Sequence, residues 1–182
     1  MEFKPTRLPE VILVIPRVFE DQRGYFFESW QLEKFLAAGI AAHFVQDNHS
    51  HFVRHTLRGL HYQLRRTQGK LLRVTKGEVL DIAVDIRRSS PRFGQWTGAV
   101  LSDTNHHMLW VPPGFAHGYL CLSEEVDLLY KCTELYSPED ERAIRWDDKV
   151  LGIEGGLSPD TVPVLSKKDA IAPHLSEAEQ FP

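Results

Sequence analysis

The fold is decided by the stretch KGEVLDIAVDI, which occupies residues 76–86. Side chains two positions apart in a β-strand lie on the same face. One face of this stretch is wholly apolar and consists of Leu80, Ile82, Val84 and Ile86. The other face mixes apolar residues with carboxylates and consists of Val79, Asp81, Ala83 and Asp85. Residues 76–78 form a tight turn centred on Gly77. The stretch therefore predicts a strand that follows directly on another strand.

Similar short strands recur along the chain, bounded by Gly, Pro, Asn or Asp. They are predicted at Val11–Ile15, Leu57–Leu64, Lys70–Thr75, Val79–Ile86, Thr97–Leu101, Met108–Val111, His117–Leu122, Val126–Cys132 and Ala143–Trp146. Helices are few. One is expected at Trp30–Ala38, between a Ser29 cap and Gly39, and a short one after Ser166. This pattern predicts an all-β sandwich or barrel.

Several predicted strands carry polar or titratable groups on an otherwise apolar face. The sets that share a face are His61 with Gln63, Lys70 with Leu72 and Val74, His117 with Tyr119 and Cys121, and Tyr130 with Val126, Leu128 and Cys132. Such faces are typical of a β-barrel whose interior holds a small ligand. A flat sheet with a solvated outer face would show the same pattern, so the residues alone leave both architectures open.

The chain of 182 residues is long enough for one domain with a substantial core. Its 42% hydrophobic and 25% charged residues exclude a disordered chain. The longest strictly apolar stretch near the start, Val11–Ile15, is too short for a membrane helix or a signal-peptide core. Two cysteines, Cys121 and Cys132, do not suggest a disulfide framework. We therefore expect a single cytoplasmic domain over residues 1–182, with a loose tail at about 174–182.

The charges are distributed unevenly. The net charge of −4 disfavours a nucleic-acid coat or an anionic membrane as partner. Between Asp47 and Glu78, however, there is no acidic residue, and seven of the 21 Lys and Arg residues lie there. These seven are Arg54, Arg58, Arg65, Arg66, Lys70, Arg73 and Lys76. The interval is either a solvated basic face or a pocket for a phosphate or diphosphate, to which Arg offers bidentate donors.

Motifs for metal, nucleophile and dinucleotide chemistry are weak or missing. Residues 49–51, His-Ser-His, put two imidazoles on one strand face, but the next acidic residue is Glu78, so a third metal ligand is lacking. The chain has no Gly-x-Ser-x-Gly, Gly-x-Gly-x-x-Gly or Gly-x-x-x-x-Gly-Lys motif. What remains is acid–base chemistry by His, Tyr, Lys and carboxylates, with Arg for anions.

A set of motifs matches a known family. The most specific are RGLHYQ at residues 58–63 and QGKLLRV at residues 68–74. The others are QDNHS at 46–50, GEVLDIAVD at 77–85, PGFAHG at 113–118, LYK at 129–131, YSP at 136–138 and LSKKDA at 165–170. Together these motifs make the chain, from about Arg17 to Pro173, resemble the dTDP-4-dehydrorhamnose 3,5-epimerase family.

The resemblance implies a cupin-like jelly-roll barrel, a homodimer, and an epimerase without cofactor or metal. Such an enzyme inverts C3 and C5 of dTDP-4-dehydro-6-deoxy-D-glucose to give dTDP-4-dehydro-L-rhamnose, on the route to dTDP-L-rhamnose. By position, His61 would be the base and Asp169 the carboxylate that orients it. Lys70 would stabilise the enolate oxygen, and Tyr130 would be the acid on the opposite face. Metal-binding cupins have a second His where this chain has Gln63, which fits an enzyme that uses acid–base chemistry instead.

The resemblance also assigns substrate-binding positions. They are Arg23, Glu28, Gln46, Asn48, Arg58, His117, Glu141 and Lys168. Arg23 and Arg58, with the basic interval around them, would hold the diphosphate, and Gln46 and Asn48 would contact thymine. The family often has two adjacent tyrosines where this chain has Leu135 and Tyr136, so position 135 departs from the pattern expected for stacking on the base.

Three alternatives stay open from the sequence. A metal-dependent cupin enzyme would bind a transition metal and lose activity with a chelator. A non-catalytic nucleotide-sugar binding module would bind ligand without proton exchange. A single-carbon 3- or 5-epimerase would act on a related dTDP-4-keto sugar.

Overall fold

The computed structural model describes residues 1–153, 157 and 161–182. This part of the chain contains thirteen strands and two short helices. The strands are β1 (Glu2–Pro5), β2 (Ile12–Ile15), β3 (Val18–Asp21), β4 (Gly24–Phe27), β5 (Gln46–Val53), β6 (Leu57–Gln63), β7 (Lys70–Lys76), β8 (Glu78–Asp85), β9 (Trp96–Ser102), β10 (Met108–Val111), β11 (Phe115–Cys121), β12 (Glu125–Cys132) and β13 (Glu141–Ala143). The helices are α1 (Leu32–Ala37) and α2 (Lys167–Ala170). Neither helix is long and apolar enough to cross a membrane.

All of these strands except β3 and β4 belong to two antiparallel sheets that face each other. One sheet has the order β1-β2-β10-β7-β12-β5, and the other has the order β13-β6-β11-β8-β9. The chain changes sheet at each step from β5 to β8, so consecutive strands enclose one interior. This winding is that of a jelly roll. It confirms the all-β barrel predicted from the short strands.

The two faces of β8 are buried against different parts of the molecule. Val79 and Ala83 belong to the interior cluster, where they meet residues of the opposite sheet. Ile82 and Val84 belong to a second cluster on the outside of the barrel. The wholly apolar face of the stretch that opened the sequence is therefore the outer face. The mixed face, with its carboxylate Asp81, points inward.

The C-terminal strap, residues 174–182, covers this outer apolar face. Leu175 and Ala178 are buried in the outer cluster, and Phe181 packs against it. The Phe181 carbonyl accepts a hydrogen bond from the Arg88 backbone N–H at 2.9 Å. The prediction of a loose tail at 174–182 is wrong, because an apolar strand face outside the barrel has to be covered by something.

The first helix is shorter than predicted. It begins after Gln31, whose side chain accepts a hydrogen bond from the Lys34 N–H at 2.7 Å, so Ser29 is not the cap. Of its apolar residues Leu32, Phe35 and Leu36, only Phe35 is buried, because a helix of six residues turns one narrow face to the core. Gly39, with φ of +81°, follows the helix as expected. At α2, Ser166 is the cap, as the sequence predicts.

Strands rich in polar residues escaped prediction. Strand β5 alternates half-buried and exposed residues, and the exposed ones include Asp47, His49 and His51, which do not look like strand formers. The strands β1, β3 and β4 were missed as well. The strand expected at Ala143–Trp146 lies earlier, at β13, where it pairs with the end of β6.

Candidate active site

A cavity of about 370 Å³ lies between the two sheets of the barrel. Its lining comes from both sheets and includes Gln46, Asn48, Arg58, His61, Gln63, Lys70, His117, Tyr119, Tyr130, Cys132, Tyr136 and Glu141. The shared faces predicted from the two-residue period are therefore interior faces. The flat sheet with a solvated outer face is not what these residues form.

His61 and Asp169 form a buried pair at the cavity. His61 Nε2 lies 2.5 Å from Asp169 Oδ1, although the two residues are far apart in sequence. Ser166, the cap of α2, donates its hydroxyl to Asp169 Oδ2 at 2.8 Å. Burial raises the pKa of Asp169, but the hydrogen bond and charge of His61, with Ser166 and Arg58, outweigh it and hold this pKa below its ordinary value. An ionised carboxylate thus fixes the His61 ring.

A β-bulge at Gly59 turns both Arg58 and His61 toward the cavity. His117 pairs with His61 and Tyr119 with Arg58, so β6 has three residue steps where β11 has two. Without the bulge, positions 58 and 61 would lie on opposite faces. Gly59 has φ of +122°, and a Cβ on it would lie 2.6 Å from the Gly118 Cα. Only glycine therefore permits this close approach of β6 and β11.

His117 is held by a carboxylate that the sequence analysis did not single out. Its Nε2 lies 3.0 and 3.1 Å from the two carboxylate oxygens of Asp81, which is fully buried. Burial lowers the pKa of His117, despite the opposing charge of Asp81. The neutral ring therefore donates Nε2–H to Asp81 and keeps Nδ1 as an acceptor. A carboxylate on the interior face of an apolar strand was the signal in the sequence.

Lys70 lies in a row with two other cavity residues. Cys132 on β12 is directly between Gln46 on β5 and Lys70 on β7. Burial, with the charge of Arg58, lowers the pKa of Lys70, against smaller opposing effects of nearby acidic groups. The Cys132 thiol, which also lines the cavity, accepts a hydrogen bond from Asn48 Nδ2 at 3.6 Å. The row therefore places the Gln46 amide and the Lys70 amine on the same face of this sheet, on either side of Cys132.

Tyr130 occupies the next position of the same sheet face. It lies between Asn48 on β5 and Leu72 on β7. Burial raises the pKa of Tyr130, and the nearby Arg58 opposes this rise. The phenol is therefore protonated near neutral pH and is able to donate a proton. It faces the cavity from the sheet opposite to that of His61.

The mouth of the cavity carries a hydrogen-bonded aromatic residue. Tyr136 donates its hydroxyl to Glu141 Oε2 at 2.8 Å, and its backbone N–H to Gln46 Oε1 at 2.9 Å. Lys168 also donates to Glu141 Oε2, so these two predicted binding residues contact each other. Leu135 is exposed beside the mouth and does not line the cavity. The departure at position 135 therefore leaves the mouth with one ring, that of Tyr136.

Two predicted binding residues lie away from this cavity. Arg23 is at the tip of the hairpin of β3 and β4, with 85% of its side chain exposed, and pairs with Asp21. Glu28 follows the hairpin and pairs with Lys34 at 2.6 Å. The fold of one chain therefore does not bring Arg23 or Glu28 to its own site.

Most of the basic interval is not at the cavity either. Among its seven cations, Arg58 and Lys70 line the cavity. Four others have exposed side chains and pair with carboxylates outside the cavity: Arg54 with Glu124, Arg65 with Asp140, Arg66 with Glu134 and Lys76 with Glu125. The pocket interpretation is thus right for two residues, and the solvated-face interpretation is right for these four.

The assembled site has the parts of a proton-transfer catalyst. A histidine held by a carboxylate faces a protonated phenol across the cavity, with a lysine and an arginine in the same lining. Fold and site together define a jelly-roll protein equipped for acid–base catalysis.

The chain belongs to the dTDP-4-dehydrorhamnose 3,5-epimerase family, which matches residues 5–177. The enzyme of that name from Pseudomonas aeruginosa is 52% identical over 98% of this chain and 99% of its own length. The one from Salmonella typhimurium is 50% identical over 95% of this chain and 94% of its own. A dTDP-6-deoxy-D-glucose-3,5-epimerase from Legionella pneumophila, solved in complex with dTDP-4-keto-L-rhamnose, is 45% identical with a TM-score of 0.93, covering 97% of this chain and 93% of that one.

Family membership confirms the predicted fold and class of activity. The barrel is the cupin-type jelly roll of these epimerases, and the chain is an isomerase. The expected place in dTDP-L-rhamnose formation is confirmed at the level of the family. A non-catalytic binding module does not agree with these relatives.

Proposed function

We propose that the chain inverts C3 and C5 of dTDP-4-dehydro-6-deoxy-D-glucose by acid–base proton transfer inside the barrel. The observation that carries this proposal is that His61 and Tyr130 face one cavity from opposite sheets. A sugar ring between them has a base on one side and an acid on the other. Removing a proton from one face of a carbon and returning one to the other face inverts that carbon.

One mechanism serves both carbons because the hydrogens at C3 and C5 are both α to the C4 ketone. His61, oriented by the Asp169 carboxylate, takes the proton from carbon. The electron pair of the broken C–H bond moves to the C4 oxygen and gives an enolate. Tyr130 then returns a proton to the opposite face of the carbon, and the ketone forms again. The product after both inversions is dTDP-4-dehydro-L-rhamnose.

Lys70 stabilises the enolate oxygen. It reaches the cavity from the same sheet as Tyr130. A fixed positive charge is most effective where negative charge develops and water is excluded. Burial lowers the pKa of Lys70, and negative charge that develops on a nearby oxygen favours the charged form of its amine. We therefore assign the ammonium to the C4 oxygen.

The remaining cavity residues hold the nucleotide part of the substrate. Arg58 binds the diphosphate, and Gln46 and Asn48 offer amide contacts to thymine. The exposed Tyr136 ring at the mouth provides a surface on which the base can stack. The other predicted contacts at the cavity or its mouth are His117, Glu141 and Lys168.

We further propose a homodimer in which the hairpin of β3 and β4 reaches the partner's cavity. The hairpin exposes Phe19, Tyr25 and Phe26, each by more than half of its surface. Such an aromatic patch marks a surface that is covered in the functional molecule. Because Arg23 and Glu28 lie on or beside this hairpin, a dimer would supply them to a site that its own chain leaves without them.

The reaction is proposed to need no metal. Gln63 stands two residues after His61, where a second imidazole ligand would be needed, and His117 is already bound to Asp81. Among residues 1–153, 157 and 161–182, no group of three His, Cys, Asp or Glu is placed to hold a metal ion. His49 and His51 share Asp127 on the outside of the barrel, apart from the cavity.

We also propose that residues 1–182 form one domain and that the protein acts in the cytoplasm. The two main sheets share one interior, and the C-terminal strap packs on the outside of the same barrel. Both cysteines are free and buried, which fits a reducing compartment.

The decisive experiment follows deuterium from heavy water into dTDP-4-dehydro-6-deoxy-D-glucose by NMR, with protein treated with EDTA. Label at both C3 and C5 would support the double epimerase. Label at one carbon would instead support the single-carbon alternative. Loss of exchange with EDTA and its return with added metal would favour a metal-dependent enzyme. Tight dTDP binding without any exchange would overturn the proposed mechanism.

A further inference from the structure

Tyr119 is a cavity residue to which neither the family resemblance nor the mechanism assigns a role. It lies on β11 with its ring in the interior cluster, and only 5% of it is exposed. Its backbone is in register with Arg58 on the neighbouring strand β6. Its hydroxyl reaches the opposite sheet, where it lies 3.4 Å from Ser50 Oγ on β5. The Tyr119 side chain therefore extends from one sheet to the other, beside Arg58.

The hydrogen-bond directions around Ser50 leave the Tyr119 oxygen as an acceptor. Ser50 Oγ also lies 3.4 Å from the Leu128 carbonyl oxygen, which can only accept. The Ser50 proton therefore points to Leu128, and Ser50 Oγ accepts the proton of Tyr119. The lone pairs of the Tyr119 oxygen remain available to a further donor.

Arg58 is the donor next to this oxygen. Its guanidinium lies 5.6 Å from the centre of the Phe52 ring, in the same cavity lining as Tyr119 and Tyr130. Burial opposes the charge of Arg58, but the phenols of Tyr119 and Tyr130 help to raise its pKa above the ordinary value. The nearby carboxylate of Asp169 is already hydrogen-bonded to His61 and Ser166. Arg58 thus rests against aromatic rings and phenols, and its charge is left for an anion in the cavity.

We propose that Tyr119 is a positioning residue, whose hydroxyl accepts a hydrogen bond from Arg58 and aims the guanidinium at the diphosphate of the substrate. The identity of this anion rests on the proposed function. The arrangement of Ser50, Tyr119 and Arg58 is independent of it. An arginine presents a planar fork of donors, so a small change in its direction alters contacts with a diphosphate.

The test is Tyr119→Phe, which removes one oxygen and keeps the ring in the core. Isothermal titration with dTDP should show affinity lower by about ten-fold, since a hydrogen bond to a charged group is lost. In turnover, KM should rise while kcat stays within about two-fold, because the diphosphate is bound in the ground and transition states alike. The melting temperature should stay close to that of the unaltered protein. Unchanged dTDP affinity would overturn the inference.

A second variant and a double-mutant cycle separate positioning from packing. Ser50 is not part of the interior cluster that contains the Tyr119 ring, so Ser50→Ala should leave the packing of that ring intact. Ser50→Ala should also weaken dTDP binding, by a smaller factor than Tyr119→Phe. In an Arg58→Lys background the effect of Tyr119→Phe should disappear, because the fork that Tyr119 aims is gone. A full ten-fold effect in that background would show that Tyr119 acts without Arg58 and would refute the proposal.

These readouts distinguish failure of the inference from failure of the proposed function. If the unaltered protein exchanges deuterium but Tyr119→Phe binds dTDP normally, the inference fails and the function stands. If the unaltered protein does not exchange but Tyr119→Phe still weakens dTDP binding through Arg58, the inference stands and the catalytic proposal fails.

Discussion

The proposed mechanism divides the two proton transfers between His61 and Tyr130, which lie on opposite sides of the cavity. We expect His61→Ala to abolish deuterium exchange, because general-base catalysis is worth roughly 10²–10⁴-fold and Asp169 alone has no access to the carbon. Tyr130→Phe should slow the return of the proton more than its removal. This variant should therefore retain more proton exchange on the His61 side of the sugar than epimerisation. Single-turnover NMR in heavy water measures both steps.

The same two variants, His61→Ala and Tyr130→Phe, also define the results that would contradict this assignment of roles. Equal loss of every step in both variants, or full activity in either one, would refute this division of roles. Binding of dTDP by each variant, measured by calorimetry, controls for damage to the barrel.

Lys70 is expected to act on the chemical step. Lys70→Ala should reduce kcat by about 10²–10³-fold, the effect of removing one preorganised oxyanion donor, with a modest change in dTDP affinity. The measurement is kcat and KM for epimerisation, with the dTDP dissociation constant as control. A loss confined to affinity would make Lys70 a phosphate contact instead.

The sequence indicated most individual site residues and the Asp169 partner of His61, but not the partner of His117. His61, Lys70 and Tyr130 line the cavity, as their strand faces and the family motifs suggested, and Arg58 does so as the motifs alone suggested. The partner of His117 was not foreseen, since the pairing with Asp81 joins two strands far apart in sequence. Periodicity reports which face a residue takes and says nothing of the residue across the sheet.

At the scale of an element, the bulge in β6 decides what the cavity contains. Gly59→Ala should lower stability by about 2–4 kcal/mol, through a strained positive φ and overlap with the β11 backbone. Thermal unfolding measures this change. Gly152→Ala is a control with φ of +55° and open space around its Cβ, and it should cost much less. Equal melting temperatures for the two variants would contradict this account.

Elements were predicted where the apolar pattern was strong and misplaced where it was weak. Strand β10 was predicted with its observed bounds, since every residue of it is buried. Helix α1 was extended too far, because Ser29 is a commoner type of cap residue than Gln31, the cap that is observed. The bulge contradicts a strict two-residue period, so position 58 could not be placed beside 61 from periodicity alone.

At the scale of the whole molecule, the proposed dimer places Arg23 of each chain in the site of the other chain. Arg23→Ala and His61→Ala homodimers should each be nearly inactive. Random exchange of subunits between them should restore roughly one quarter of the activity, since half of the dimers are mixed and each mixed dimer has one intact site. The assay is epimerisation after unfolding and refolding the two variants together.

The outcome separates action within one chain from action across a dimer. No recovery on mixing, while a mixture with unaltered protein recovers normally, would mean that Arg23 does not serve a partner.

The hairpin is held in place by packing of Tyr25 and Phe27 on His106, at 4.6 and 5.0 Å between ring centres. Its direction is therefore a property of the single chain.

The overall architecture was predictable because short strands leave few alternatives, whereas the covering of the barrel was not. The outer face of β8 and the C-terminal strap find each other only in three dimensions. A tail with three apolar residues among nine looks unattached in a linear sequence.

The late position of Asp169 has a consequence for the order in which the protein becomes active. Every strand of the barrel, and with them His61, Lys70 and Tyr130, precedes this carboxylate in the chain. During synthesis from the N-terminus, the strands that carry His61, Lys70 and Tyr130 are therefore made before the carboxylate that holds the His61 ring. We therefore expect proton transfer to begin only once α2 has docked beside the finished strands, so that catalytic activity reports this docking.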